Sequence, residues 1–364
     1  MELTYNISHI ISLFITGIFF HWSISRRNQQ NISNMLNSVK SKLLFTFLFL
    51  SFISLETLLA QTPKMYFSDT YIANRPFAKD PYVIFFKNKY WMYYTVPDEL
   101  KKVLHIGIAT SNDLNNWEKV GDIFGVKGSV EENGICAPSA LIKDGVLHLF
   151  YQTYGNAKLD AICHAYSKNG LDFERDQTNP IFRPKISDWS CGRAIDAEVI
   201  AFKNQYFLYY ATRDPSYKIQ QQGVATASIN SNFNRNSWSE IPNMPMLKPE
   251  LDWELKCIEA ASCIKKGRYL YMFYAGGYNN EPQQIGVAKS KDGIHWKRLS
   301  NDPFLKNGKK GTWNESESGH PNILKAENGK YYLFFQGNND KGKTWYLSNV
   351  EIGWNKKGPF LKTE

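Results

Sequence analysis

Three acidic residues stand at one distance from the start of an aromatic strand: Asp80 ten residues before Tyr90, Asp196 ten before Tyr206 and Glu259 ten before Tyr269. Carboxylates at one register of a repeated unit are brought together when the units close around an axis. Convergent carboxylates suit acid–base hydrolysis. One carboxylic acid protonates a leaving oxygen while a carboxylate activates water or attacks directly, as splitting a glycosidic bond requires. A third acid can orient the base or tune the acid by like-charge coupling. The ordinary fate of an Asp beside a proline, as Asp80 is beside Pro81, is to cap a turn. A register shared by three acids points to chemistry instead. The matching place falls near Ala137 in a fourth unit and at His320, eleven before Tyr331, in a fifth.

The units that carry these residues repeat. KNKYWMYYT from Lys87, KDGVLHLFYQT from Lys143, KNQYFLYYAT from Lys203, KGRYLYMFYAG from Lys266 and ENGKYYLFFQG from Glu327 each place a polar turn before an alternating aromatic strand, at intervals of 56 to 63 residues. A second element follows: HIGIATSNDLNNWEKV, ICHAYSKNGLDFER, GVATASINSNF leading to Trp238, IGVAKSKDGIHWKR, and the shorter WYLSNVEIGW. These read as a strand, a tight turn and a further strand. With an apolar strand such as PYVIFF or AEVIAF ahead of each turn, every unit supplies about four antiparallel strands, which is a propeller blade. Apolar periodicity of 3.6 residues is missing, so the expectation is an all-β, nearly helix-free, five-bladed β-propeller. A β-sandwich has no reason to repeat the whole set five times.

The first sixty residues read as something else. Lys40 and Lys42 precede the apolar run Leu43 to Ile53, and Leu58-Leu59-Ala60 offers a cleavage site before Gln61. The expected organisation is therefore an N-terminal extension and signal peptide over 1–60, with the true start at Met35 and cleavage after Ala60, then a catalytic domain over 61–364. The protein is expected to be secreted or periplasmic, without stable membrane insertion once cleaved. Five cysteines with no CxxC spacing argue against zinc and leave at least one thiol unpaired. Aromatic residues make up 15% of the chain, which suits ring stacking on sugars as well as packed sheets. The net charge of +9 is scattered; it fits an acidic or sulfated glycan and carries no nucleic-acid motif.

The segments RPFAKDPYVIFF around Asp80, RAIDAEVIAF around Asp196, CIEAASCIKKGRYLYMFY around Glu259 and SGHPNILKAENGKYYLFF around His320 resemble blade segments of glycoside hydrolase family 43 over about residues 66–354. The resemblance implies an inverting glycosidase with Asp80 as general base, Glu259 as general acid and Asp196 as orienter and pKa modulator. It implies exo or debranching action on a plant or algal polysaccharide or its oligosaccharides, of the β-D-xylosidase or α-L-arabinofuranosidase type. No cofactor is required. His320 matches a histidine that in some members helps hold an axial ion, often calcium. The family usually continues its acid as Glu-Gly-Pro, where this chain has Glu259-Ala260-Ala261.

Further substrate contacts are expected from Arg193, from His320, and from Trp189, Trp253 and Trp313, which precede the inner strands of the last three blades. Arg213-Asp214-Pro215 resembles the Arg-Asp-Pro motif of family 32, yet it follows a second strand, so Asp214 is expected to be a turn or rim residue. Two rival functions stay open. A mannoside phosphorylase-like propeller would need Arg, Lys or His clustered around the site. A non-catalytic sugar-binding propeller would usually have lost one of the three acids.

Overall fold

The computed structural model describes residues 63–362 apart from 72–73 and 242–243. The signal peptide read over residues 1–60 lies outside the described residues. Five four-stranded antiparallel sheets follow one another along the chain. They are β1–β4 (Lys79–Phe86, Lys89–Asp98, Val103–Ser111, Glu118–Ile123), β5–β8 (Ile135–Lys143, Val146–Thr153, Ile162–Ser167, Glu174–Arg175), β9–β12 (Ile195–Phe202, Gln205–Arg213, Gln220–Ser228, Ser239–Glu240), β13–β16 (Ile258–Lys266, Tyr269–Gly276, Gln284–Ser290, Trp296–Arg298) and β17–β20 (Glu317–Lys325, Tyr331–Asn338, Tyr346–Asn355, Gly358–Leu361). The first strands of the sheets, β1, β5, β9, β13 and β17, touch their neighbours in turn, and β17 returns to β1. The fold is a five-bladed β-propeller. Helix among the described residues is limited to three short 3-10 turns. None is long and apolar enough to cross a membrane.

The second strand of each blade carries the core. Tyr93, Tyr94, Phe150, Tyr151, Phe207, Tyr209, Tyr210, Phe273, Tyr274 and Phe334 are all fully buried. Their run is continuous rather than alternating, because each blade packs both faces against the next blades around the ring. Large rings need small partners opposite. A Cβ on Gly107, Gly223 or Gly286 would lie 2.4, 2.5 and 2.4 Å from the rings of Tyr94, Tyr210 and Tyr274, the residues they pair with.

The ring is closed by the start of the described chain. Phe67 and Leu347 of β19 exchange both backbone hydrogen bonds, at 2.9 and 2.8 Å, and the Ser348 hydroxyl donates to the Met65 carbonyl at 2.7 Å. The N–H of Trp345 donates to Pro76 O, and that of Ala78 donates to Trp345 O.

Each inner strand has a bulge at the same place, where two residues face one on the second strand. One residue of each bulge takes a left-handed backbone: Asp80 (φ 52°), Ala137 (47°), Asp196 (51°), Ala260 (52°) and His320 (45°). None is glycine, so each position carries strain of order 1–3 kcal/mol that the surrounding packing must hold. The bulges also free backbone N–H groups, and a neighbouring blade supplies partners. Gln336 Oε1 accepts from Asp80 N (2.9 Å), Thr95 Oγ1 from Ala137 N (2.9 Å), Gln152 Oε1 from Asp196 N (2.6 Å) and Gln283 Oε1 from His320 N (3.1 Å).

Candidate active site

The bulges open onto a cavity of about 470 Å³ at the mouth of the propeller axis. Asp80, Asp196, Glu259, His320 and Arg193 all line it. Glu259 arrives from a position different from the one its spacing suggested. It pairs with Ala275 and so corresponds to Lys79, Ile195 and Gly319, one residue before the bulge position, which Ala260 holds. The count slipped at the turn: Tyr269 directly follows the two-residue turn of its hairpin, whereas Tyr90 and Tyr206 come one residue later.

The three acids sit in different fields. Burial alone would push the Asp80 carboxyl up, but His320, Lys79 and a hydrogen bond from Thr95 hold it below its usual range. The His320 Nδ1 lies 3.1 Å from Asp80 Oδ1. Burial pushes Asp196 well above the carboxylate range, and the charges of Glu259 and Asp80 push the same way. Glu259 is gripped by two amides. Its Oε1 accepts from Gln283 Nε2 at 2.6 Å, and its Oε2 accepts from Gln220 Nε2. Gln283 therefore links the Glu259 carboxyl to the backbone of His320.

A surrounding layer fixes the cations. Arg193 pairs with Asp160 at 3.2 Å and reaches Gln220 Oε1 at 3.4 Å. Lys79 donates to Asn279 Oδ1 at 2.5 Å and lies over the Trp345 ring at 4.5 Å. Burial would lower its pKa, but Asp80, Glu317 and Glu259 together raise it, so it stays charged. Glu317, buried behind Asn279 and Gln336, is pushed up to about 8 by burial.

The three predicted tryptophans do not line the cavity. Trp189 packs against Gly223, Trp253 against Gly276 and Gly286, and Trp313 against Gly337 and Phe335. Their rings fill space that glycines leave between strands. The tryptophan that lines the cavity is Trp345, in the loop before β19, together with Tyr154, Tyr278 and Asn279. Among residues not anticipated, Thr95, Gln152 and Gln336 hold one position of the repeated second strand, as the endings YYT, FYQT and FFQG record. Gln220 opens β11, Gln283 directly precedes β15, and Asp160 follows the short 3-10 turn before β7. Asp214 accepts backbone hydrogen bonds from Ser216, Lys218 and Ile219 and organises the loop after β10.

His320, the residue read as a possible ligand of an axial ion, faces Asp80, and among the described residues no group of three His, Cys, Asp or Glu side chains is placed to hold a metal ion. The five cysteines are buried thiols without disulfides.

A carboxylate held below its usual range, a second pushed above it and a third gripped by two amides, in one polar pocket, can support acid–base hydrolysis. Comparison with known proteins gives the same direction. A thermostable family-43 glycoside hydrolase superposes with a TM-score of 0.65 at 19% identity, over 79% of this chain and 93% of the other. An α-L-arabinofuranosidase from Lactobacillus brevis superposes with a TM-score of 0.59 at 16% identity, over 79% and 94%. A β-1,2-mannobiose phosphorylase from Thermoanaerobacter sp. is 26% identical over 131 residues, 32% of this chain and 41% of that relative, so the chain spans less than half of its length. The sequence model of Glycosyl hydrolases family 43 matches residues 73–356, from ahead of β1 to the end of β19, and the protein belongs to that family.

Proposed function

We propose that the protein is an inverting glycosidase that releases terminal or branching pentosyl residues, of the β-D-xylosidase or α-L-arabinofuranosidase type, from a plant or algal glycan. The observation that carries this reading is the meeting of Asp80, Asp196 and Glu259 in one cavity with opposed protonation environments. Asp80, kept ionised, is the base that takes a proton from a water attacking the anomeric carbon. Glu259 is the acid that protonates the departing oxygen, and its two amide partners fix its direction. Asp196, pushed upward by burial and then by the charges of Glu259 and Asp80, orients the site and tunes the acid through like-charge coupling. The family membership and the likeness to an arabinofuranosidase support the pentoside assignment.

The test is release of 4-nitrophenol from aryl pentosides and hexosides. Glu259→Gln and Asp80→Asn are each expected to lower kcat by about 10²–10⁴-fold with folding intact. Loss of the acid should be milder on aryl glycosides, whose leaving group needs little protonation, than on natural linkages. NMR of the first-formed sugar should show inverted configuration; retention would sink the mechanism. Phosphorolysis is the second reading, favoured by Lys79, Arg193 and Arg213 around the cavity. It predicts no turnover without inorganic phosphate.

A further inference from the structure

Arg213, the last residue of β10, lines the active-site cavity. It is built in with care. Its Nε donates to Gln220 Oε1 at 3.1 Å, and the same Gln220 amide donates to Glu259 Oε2. The guanidinium lies 4.4 Å from the Tyr217 ring centre and 5.2 Å from that of Tyr278. Tyr217 is held there by the loop that Asp214 organises, with a left-handed backbone at φ 62°. The Tyr278 hydroxyl reaches back to Lys218 O in that loop.

This rigid guanidinium lacks an acid. Arg193 has Asp160, whereas among the described residues no Asp or Glu oxygen lies within 4.0 Å of the Arg213 nitrogens. A planar fork stacked on aromatic rings and left without a carboxylate is the usual partner of an anionic ligand.

Its position says which part of a substrate would carry that anion. Ala211 pairs with Ile195 beside the bulge, so Arg213, two residues beyond Ala211, stands further toward the mouth than Asp196. Around the ring the base is on the first blade, the acid on the fourth and Arg213 on the third, with Gln220 between Arg213 and Glu259. Arg213 is thus on the acid's side, where the departing sugar sits, and an attacking group would come from the Asp80 side.

We propose, resting on the hydrolase reading above, that Arg213 is the anion-recognising residue of a leaving-group subsite that takes a sugar bearing a carboxylate or a sulfate. The charge selects substrates whose cleaved residue is attached to an acidic sugar.

Calorimetric titration of the full chain with methyl β-D-glucuronoside, glucose 6-sulfate, inorganic phosphate and methyl β-D-glucoside tests this. The glucuronoside or the sulfate should bind at least about tenfold tighter than the neutral glucoside, the size expected of a charge-assisted hydrogen-bonded pair. Arg213→Gln should abolish that preference and Arg213→Lys should keep part of it, with melting temperature confirming that both variants fold. Which anion binds tighter identifies the source of the charge. Equal binding of charged and neutral sugars, no binding of any probe, a preference that survives Arg213→Gln, or phosphate binding tighter than both sugars would each overturn the proposal. Because the readout is binding, failure of the subsite is separable from failure of hydrolysis, which the Glu259→Gln assay reports.

Discussion

Asp196 and Glu198 stand two residues apart on β9, and burial drives both carboxyls upward, but only Asp196 lines the cavity. Glu198 accepts the Cys263 N–H of the next blade at 2.8 Å and ties two inner strands together. Its pKa is raised by burial from 4.5 to about 8. Below pH 4.5 both folded and unfolded chains hold this proton, and its contribution to stability is fully present. Between pH 4.5 and about 8 the unfolded chain loses it first, so stability falls, and above about 8 the whole penalty applies. Glu198→Gln keeps the acceptor and removes the titration. The variant should be more stable than the parent at pH 8, by roughly a few kcal/mol, and equal to it at pH 4. Denaturant unfolding at the two pH values checks this, and parallel pH profiles would refute it. Sequence gave Asp80 and Asp196 their place because both obey the period of the repeat. It could not separate Glu198 from them in kind, since what distinguishes these acids is depth along the axis.

At the scale of the element, the bulge is the device that turns a strand into a site. It bends the inner strand, points a side chain into the cavity and leaves an N–H that a neighbouring blade must satisfy. Gln152→Ala would strip the partner from the Asp196 N–H, leaving a buried donor unpaired at about 1–3 kcal/mol. With Asp196 in the proposed orienting role, the change should lower kcat more than it raises KM; Gln152→Glu, which retains an acceptor, should recover part of the stability. The tyrosine–glycine pairs make a second element-level prediction. Gly223→Ala would drive a methyl into the Tyr210 ring and Trp189, and should destabilise by about 1–3 kcal/mol, seen as a lower denaturation midpoint. Strand number, blade number and the turn positions were legible in the repeated strings because period and turn chemistry are local. The off-by-one at Glu259 was not, because an aromatic residue marks a strand without fixing its pairing to the residue. Nor were the roles of Trp189, Trp253 and Trp313: an aromatic ahead of a strand looks alike whether it faces sugar or covers a glycine across the sheet.

On the scale of the whole molecule, the closed ring gives every blade two neighbours, and the last blade obtains one of them from the beginning of the described chain. Met65 and Ser348 are joined across 283 residues of sequence. During synthesis the segment around Phe67 emerges well before its partner strand, β19. Four blades can be complete while that segment still has nothing to pair with. The protein is therefore fastened like a belt, whose tongue is made before its buckle, and blades assembled in sequence remain an open arc until the final strand arrives. The funnel inherits this order. Asp80 on the first blade and His320 on the fifth stand 3.1 Å apart across the seam where the arc closes, so a ring left open would part Asp80 from its imidazole partner.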